Sequence, residues 1–120
     1  MTAQHRPEDT IQRAVVQHLA ARRAPGVFAF HCPNGGGRSP IEASILKGLG
    51  VVAGVPDIII IKAGHAFALE LKAHGGRPSD AQNDIVDALR RAGATVAIAH
   101  GLDAALAQLE AWGLLRGRAG

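Results

Sequence analysis

At 120 residues the chain has material for one hydrophobic core and is expected to form a single domain over residues 1–120. Hydrophobic residues make up 48% of it, yet no apolar run reaches the ~18 residues that a membrane span needs, so no membrane partner is expected. The net charge of +3 and pI near 9.8 favour a polyanionic partner, although a solvated basic surface explains them nearly as well. Cys32, the single cysteine, excludes an internal disulfide and any multi-cysteine zinc site. Residues 1–6 lack the apolar stretch of a signal peptide, which points to a cytoplasmic protein. With three Phe, one Trp and no Tyr, there is little to stack on unpaired bases, so backbone and shape contacts are the expected mode for any nucleic-acid partner.

Taken in chain order, residues 8–23 predict a helix with Ile11, Val15 and Leu19 on one face, ended by Ala24-Pro25-Gly26. Residues 27–31 form a short strand candidate, and Asn34-Gly35-Gly36-Gly37-Arg38 a loop. Ser39-Pro40-Ile41-Glu42 carries an N-cap, a proline at N1 and an acid at N3, opening a second helix that stops around residues 48–50. The β-branched run Ile58 to Lys62 predicts a buried strand, Ala63-Gly64 a turn, and residues 66–72 the returning strand. After a polar loop at 73–78, Ser79 caps a third helix through Ala92 with Ile85, Leu89 and Ala92 inward. Residues 94–99 read as a strand and 102–112 as a last helix carrying Leu102, Leu106, Leu109 and Trp112; the tail 116–120 is expected to fray. The order α-β-α-β-β-α-β-α predicts an α/β fold, a small mixed sheet flanked by helices, whose strand order the string does not reveal.

Asp57 and Glu70 carry the chemistry. If the hairpin turns between Ala63 and Gly64, paired residue numbers sum to 127 and Asp57 lies opposite Glu70. Like charges so placed repel unless a cation sits between them. Glu70 and Lys72, two apart on one strand, share a face. Two acids and a lysine at a strand end therefore suggest a divalent-metal site with a positively charged helper. The bland readings are a turn aspartate after Pro56 and a solvent lysine, or one paired with Glu70.

Gly54-Val55-Pro56-Asp57, then Glu70-Leu71-Lys72, then Ser79 and Gln82 opening a helix, resemble the VRR-NUC (virus-type replication-repair nuclease) domain of the PD-(D/E)xK superfamily over roughly residues 8–112. The resemblance implies a PD-(D/E)xK (restriction-endonuclease-like) core and a metal-dependent DNA endonuclease, bacterial or phage-encoded, acting in replication, repair and recombination. It also implies a structure-selective substrate, with double-stranded, branched or four-way (Holliday) junction DNA as candidates, and a homodimer. Asp57, Glu70, Glu8 and the backbone carbonyl of Leu71 would hold Mg²⁺ or Mn²⁺, hard ions suited to oxygen donors. Lys72 would orient the attacking water or stabilise developing charge, and Gln82 would sit near the reacting centre.

Each of these residues has a plainer reading. Glu8, with Asp9 beside it, suits the first turn of any helix through the helix dipole. Gln82 completes a Ser79-x-x-Gln82 capping box. Arg38, Lys47, His74 and Arg77 are candidate DNA-phosphate contacts or a generic basic surface. The Gly35-Gly36-Gly37-Arg38 loop lacks the ending of a nucleotide-binding P-loop but could touch a DNA backbone. His31-Cys32 reads as a buried thiol rather than a zinc site or nucleophile. Trp112 on the last helix could serve a dimer interface or the core. Two rivals stand beside the nuclease: a DNA-binding module that keeps the fold without cleavage, and a sequence-specific restriction-like enzyme.

Overall fold

The computed structural model describes residues 7–33 and 39–117. Its elements are α1 (Pro7–Arg22), β1 (Val27–His31), α2 (Pro40–Gly48), β2 (Ile58–Lys62), β3 (His65–Lys72), α3 (Asp80–Arg91), β4 (Thr95–His100) and α4 (Leu102–Ala111), in the expected order. The strands form one sheet in the order β1-β2-β3-β4. β1 and β2 pair antiparallel, as do β2 and β3, whereas β3 and β4 run parallel with α3 as the crossover.

Alternation along the strands divides the core in two. Ile58, Ile60, Leu69 and Leu71 face α1 and α4, where Val15, Leu19, Leu106 and Leu109 complete the larger core. The other phase of the same strands gives Ala68 and Val96, packed with Val86 of α3 and flanked by Ile59. β3 is covered on both faces, so its second half, Ala68 to Lys72, is buried throughout. Asp57, Glu70 and Lys72 share the phase of Ile59 and Ala68 and therefore lie on the α3 face.

The β2–β3 hairpin closes through two residues, with Ala63 at φ 51° and Gly64 at φ 77° between the paired Lys62 and His65. Positive φ at both positions is the type I′ turn whose twist matches paired strands. The register is Ile58 with Leu69 through Lys62 with His65, numbers that sum to 127, so no bulge is needed.

Two expectations change, and one open alternative is decided. On α3 the buried residue is Val86; Ile85 and Leu89 are half-buried, and Ala92 is an exposed C-cap beyond the last turn. The 3.6-residue period centres the inward stripe on Val86, with Gln82 and Leu89 at its flanks. The chain is not loose at Arg116, whose N–H donates to the Arg22 carbonyl at 2.8 Å and whose neighbour Leu115 bridges to Arg23. Residues 118–120 lie outside the described residues. Trp112 packs on Phe67 with ring centroids 5.3 Å apart, so the apolar stripe of α4 is spent on the core. Among the described residues, exposed large apolar side chains lie instead on and after α2 (Ile41, Ile45, Leu49, Val51 and Val52, with no α2 residue buried) and at Val16, Phe28 and Phe30.

Candidate active site

The Gly54-Val55-Pro56-Asp57 segment is fastened to the start of α3. Gly54 has φ +85°, and a Cβ there would sit 2.9 Å from both the carbonyl carbon and oxygen of Ala81 and 3.1 Å from the Gln82 nitrogen. Only glycine fits that backbone-to-backbone approach. Pro56 is fully buried behind it, and Asp57 enters the sheet as the next residue before β2. The Asp57 carbonyl accepts from the Cys32 N–H at 2.8 Å and from the His31 Nδ1–H at 2.7 Å. This ties β1 to the same point.

β3 outruns β2 at this end, so Glu70, Leu71 and Lys72 extend past the last paired residue, Ile58. Asp57 covers the exposed edge: its Oδ2 accepts from the Leu71 N–H at 2.7 Å. The N–H and C=O of one strand residue point to the same side. The Lys72 carbonyl turns toward β4, where it accepts from the Gly101 N–H at 2.9 Å. The Leu71 carbonyl, one residue earlier, therefore faces the Asp57 side.

Glu70 is 2% exposed and its Oε2 is buried with no hydrogen-bond donor. Burial first, then a hydrogen bond with Asp57 and its negative charge, push the Glu70 carboxyl up to about 9 from an ordinary 4.5. Lys72 pulls the other way, and Glu8 adds to the rise. A proton on Glu70 or a cation beside Oε2 would each relieve the cost of burying this carboxylate. Two hard carboxylates and a carbonyl on the same side thus suit a hard divalent ion.

Lys72 is 8% exposed; it makes no direct ion pair with Glu70, although its charge acts on that carboxyl. Glu8 stands at the margin, its Oε2 accepting from the Ala73 N–H at 3.3 Å. Among the described residues no three His, Cys, Asp or Glu side chains already form a metal-holding group. Asp57 and Glu70 are the converging pair and Glu8 the nearest further acid. Gln82 is committed to helix capping: its Oε1 accepts from the Ser79 N–H at 2.8 Å, while Ser79 Oγ accepts from the Gln82 N–H. Lys47, Gly54, Ser79 and Gln82 line a cleft of about 850 Å³ between α2 and α3. His74 and Arg77 are exposed on the 73–78 loop, and Arg38 lies outside the described residues. Cys32 is half-buried rather than buried, and burial with the Asp57 charge raises its pKa, keeping it a thiol.

No protein family matches the sequence, and no curated protein is similar to it at sequence level. Solved structures are. A VRR_NUC domain protein aligns over 92% of this chain and 90% of its own, with a TM-score of 0.73 at 23% identity. The fold is that of VRR_NUC domains. A second structure, a VRR_NUC domain, covers 87% of this chain and 94% of its own at TM-score 0.58 and 19% identity. Hjc, a Holliday junction resolvase from Archaeoglobus fulgidus, aligns over 78% of this chain and 67% of its own at 21% identity, but its TM-score of 0.48 is too loose to carry weight.

Two features of this site escaped sequence reading. The Leu71 N–H is a backbone group, and only the register reveals that it meets Asp57. His100 donates from Nε2 to the Gly76 carbonyl at 2.9 Å, a contact with no signature in the string because it joins a strand end to a loop 24 residues away.

Proposed function

We propose that the protein is a metal-dependent DNA endonuclease hydrolysing phosphodiester bonds. The observation that carries this reading is the buried, donorless Oε2 of Glu70 beside Asp57, with the Lys72 ammonium nearby. Structural groups seldom leave a buried carboxylate oxygen unpaired. Asp57, Glu70 and the Leu71 carbonyl would hold Mg²⁺ or Mn²⁺, with Glu8 joining from the margin. Such an ion supplies a Lewis acid that acidifies water and offsets charge on the scissile phosphate. Asp57 keeps the pair rigid because its other duty, the Leu71 N–H, anchors it to β3. Lys72, nearly desolvated, holds a localised positive charge toward the attacked phosphate and the incoming water, where low dielectric strengthens it. Gln82 and Gly54 serve by fixing the turn that presents Asp57 rather than by touching substrate.

The net charge of +3 suits a DNA backbone. Lys47 in the α2–α3 cleft and the exposed His74 and Arg77 on the 73–78 loop are the proposed phosphate contacts. One chain carries one Asp57–Glu70 pair, so cutting both strands of a duplex or junction calls for a second copy. The exposed Ile41, Ile45 and Leu49 of α2 are the surface proposed to meet it. The deciding experiment incubates the purified protein with linear, flapped, splayed and four-way DNA in Mg²⁺, in Mn²⁺ and in chelator. Cleavage that requires metal and is lost in Asp57→Asn supports the reading. Binding without cleavage under every condition would leave a non-catalytic DNA-binding module.

A further inference from the structure

We propose that His100 is a positioning residue for this site: by holding the Gly76 carbonyl it clamps the 73–78 loop against Glu8 and Lys72. The consequence for metal and catalysis rests on the nuclease reading; the geometry does not. His100 ends β4 and is the cross-strand partner of Lys72 in the parallel ladder, so both side chains leave the sheet on the same face. From there Nε2 reaches Gly76 at 2.9 Å. A carbonyl can only accept, so Nε2 carries the hydrogen in the neutral ring and in the imidazolium alike. The clamp therefore needs no charge.

Gly76 occupies the gap between the two residues that matter. A Cβ built on it would lie 3.6 Å from Glu8 Oε2, 3.6 Å from Lys72 Cβ and 3.2 Å from the Ala73 carbonyl. The loop is closed on itself by the Gly76 N–H donating to the Ala73 carbonyl at 2.9 Å, with Gly75 at φ 81° supplying the turn. That turn holds Ala73 so that its N–H meets Glu8 Oε2 at 3.3 Å. Glu8 thus takes its position from Ala73, and the loop takes its position from His100. The Lys72 main chain is fixed at the same place by the Gly101 N–H, the residue after His100. One strand end therefore holds the lysine by its backbone and the outer acid through the loop.

The test uses the full chain with His100→Leu, which keeps bulk but has no donor, and His100→Gln, whose amide N–H can take the place of Nε2. Amide hydrogen exchange at Ala73, Mn²⁺ affinity by calorimetry, and kcat and KM on a cleavable DNA are measured. His100→Leu should speed Ala73 exchange and weaken both Mn²⁺ binding and kcat by about tenfold, the usual effect of losing a supporting hydrogen bond. KM should change less, and His100→Gln should recover most of the loss. Gly76→Val, which leaves His100 in place but wedges the loop away, should reproduce the Leu phenotype. Unchanged Ala73 exchange in His100→Leu, or a Gln variant no better than Leu, would overturn the proposal. Should the wild-type protein neither bind Mn²⁺ nor cut DNA, the nuclease reading fails separately, and Ala73 exchange alone decides the clamp.

Discussion

Glu70 stands across the antiparallel ladder from Asp57, one step beyond the paired Ile58 and Leu69, and burial together with that neighbouring carboxylate raises the Glu70 pKa. That relationship has a measurable consequence for folding. The unfolded chain ionises Glu70 near 4.5, whereas the folded chain keeps it protonated up to about 9. Between those values the native state holds the extra proton. Its contribution to stability is complete below about 4.5 and is lost as pH rises.

Metal-free protein should therefore lose stability between about pH 5 and pH 8, with a Glu70 share of at most ~1.4 kcal/mol per pH unit. Glu70→Gln should remove that share and be the more stable protein at the higher pH. Urea unfolding in chelator at several pH values measures it. Saturating Mn²⁺ should stabilise wild type at the higher pH, since the ion binds the ionised pair that the fold otherwise resists. Parallel pH slopes for the two proteins would mean that Glu70 is not the buried acid described.

Asp57→Asn should cost cleavage at least about a hundredfold while leaving the fold intact, because the amide oxygen still accepts from the Leu71 N–H. Asp57→Ala should add a stability loss of about 1–3 kcal/mol, the cost of leaving that N–H unpaired. Comparing unfolding midpoints of the two variants separates the structural duty of this carboxylate from the chemical one. Equal stabilities would show that the Leu71 contact carries no load.

Lys72→Met should keep Mn²⁺ affinity within about threefold yet lose most cleavage, since a protonated amine does not ligate a cation. Lys72→Arg should not restore activity: a guanidinium is planar and larger, and the position is 92% buried counting from its 8% exposure. Calorimetry alongside a single-turnover cleavage assay decides. A Met variant that loses metal as Glu70→Gln does would reassign Lys72.

How much of this was legible beforehand can be judged residue by residue. The element order and the 127 register followed from local signals, because Ala63-Gly64 needs only two residues to turn and alternation then places every side chain. The exposed apolar face of α2 was not legible, since Ile41, Ile45 and Leu49 have the spacing of a core helix and only tertiary contacts show that nothing described covers them. Val86 was missed for a related reason. Ile85 and Val86 are adjacent apolar residues, and which of them faces the sheet depends on the rotation of α3, which the string does not encode. His100 and the Leu71 N–H depend on contacts between segments distant in sequence, which periodicity does not encode.

The Gly54 contact gives the most local of the stability tests. Gly54→Ala puts a methyl within 2.9 Å of the Ala81 carbonyl and strains a backbone at φ +85°. It should destabilise the protein by about 1–3 kcal/mol and displace Asp57, lowering activity as well. Denaturant unfolding and cleavage should fall together in this variant, unlike in Asp57→Asn.

The hairpin turn offers the opposite case, a stabilising change remote from the chemistry. Ala63 adopts φ 51°, which alanine disfavours by roughly 1 kcal/mol, and asparagine followed by glycine is the preferred pair for a type I′ turn. Ala63 is exposed and five residues from the Asp57 end of β2, so a larger polar side chain meets no obstacle. Ala63→Asn should raise stability by about 0.5–1 kcal/mol and leave kcat and KM unchanged. Because the turn sets which face Asp57 and Glu70 occupy, firming it should also slow amide exchange along the β2–β3 ladder. A variant no more stable than wild type would show that burial of Ile58, Ile60 and Leu69 alone holds the register, with the turn following passively.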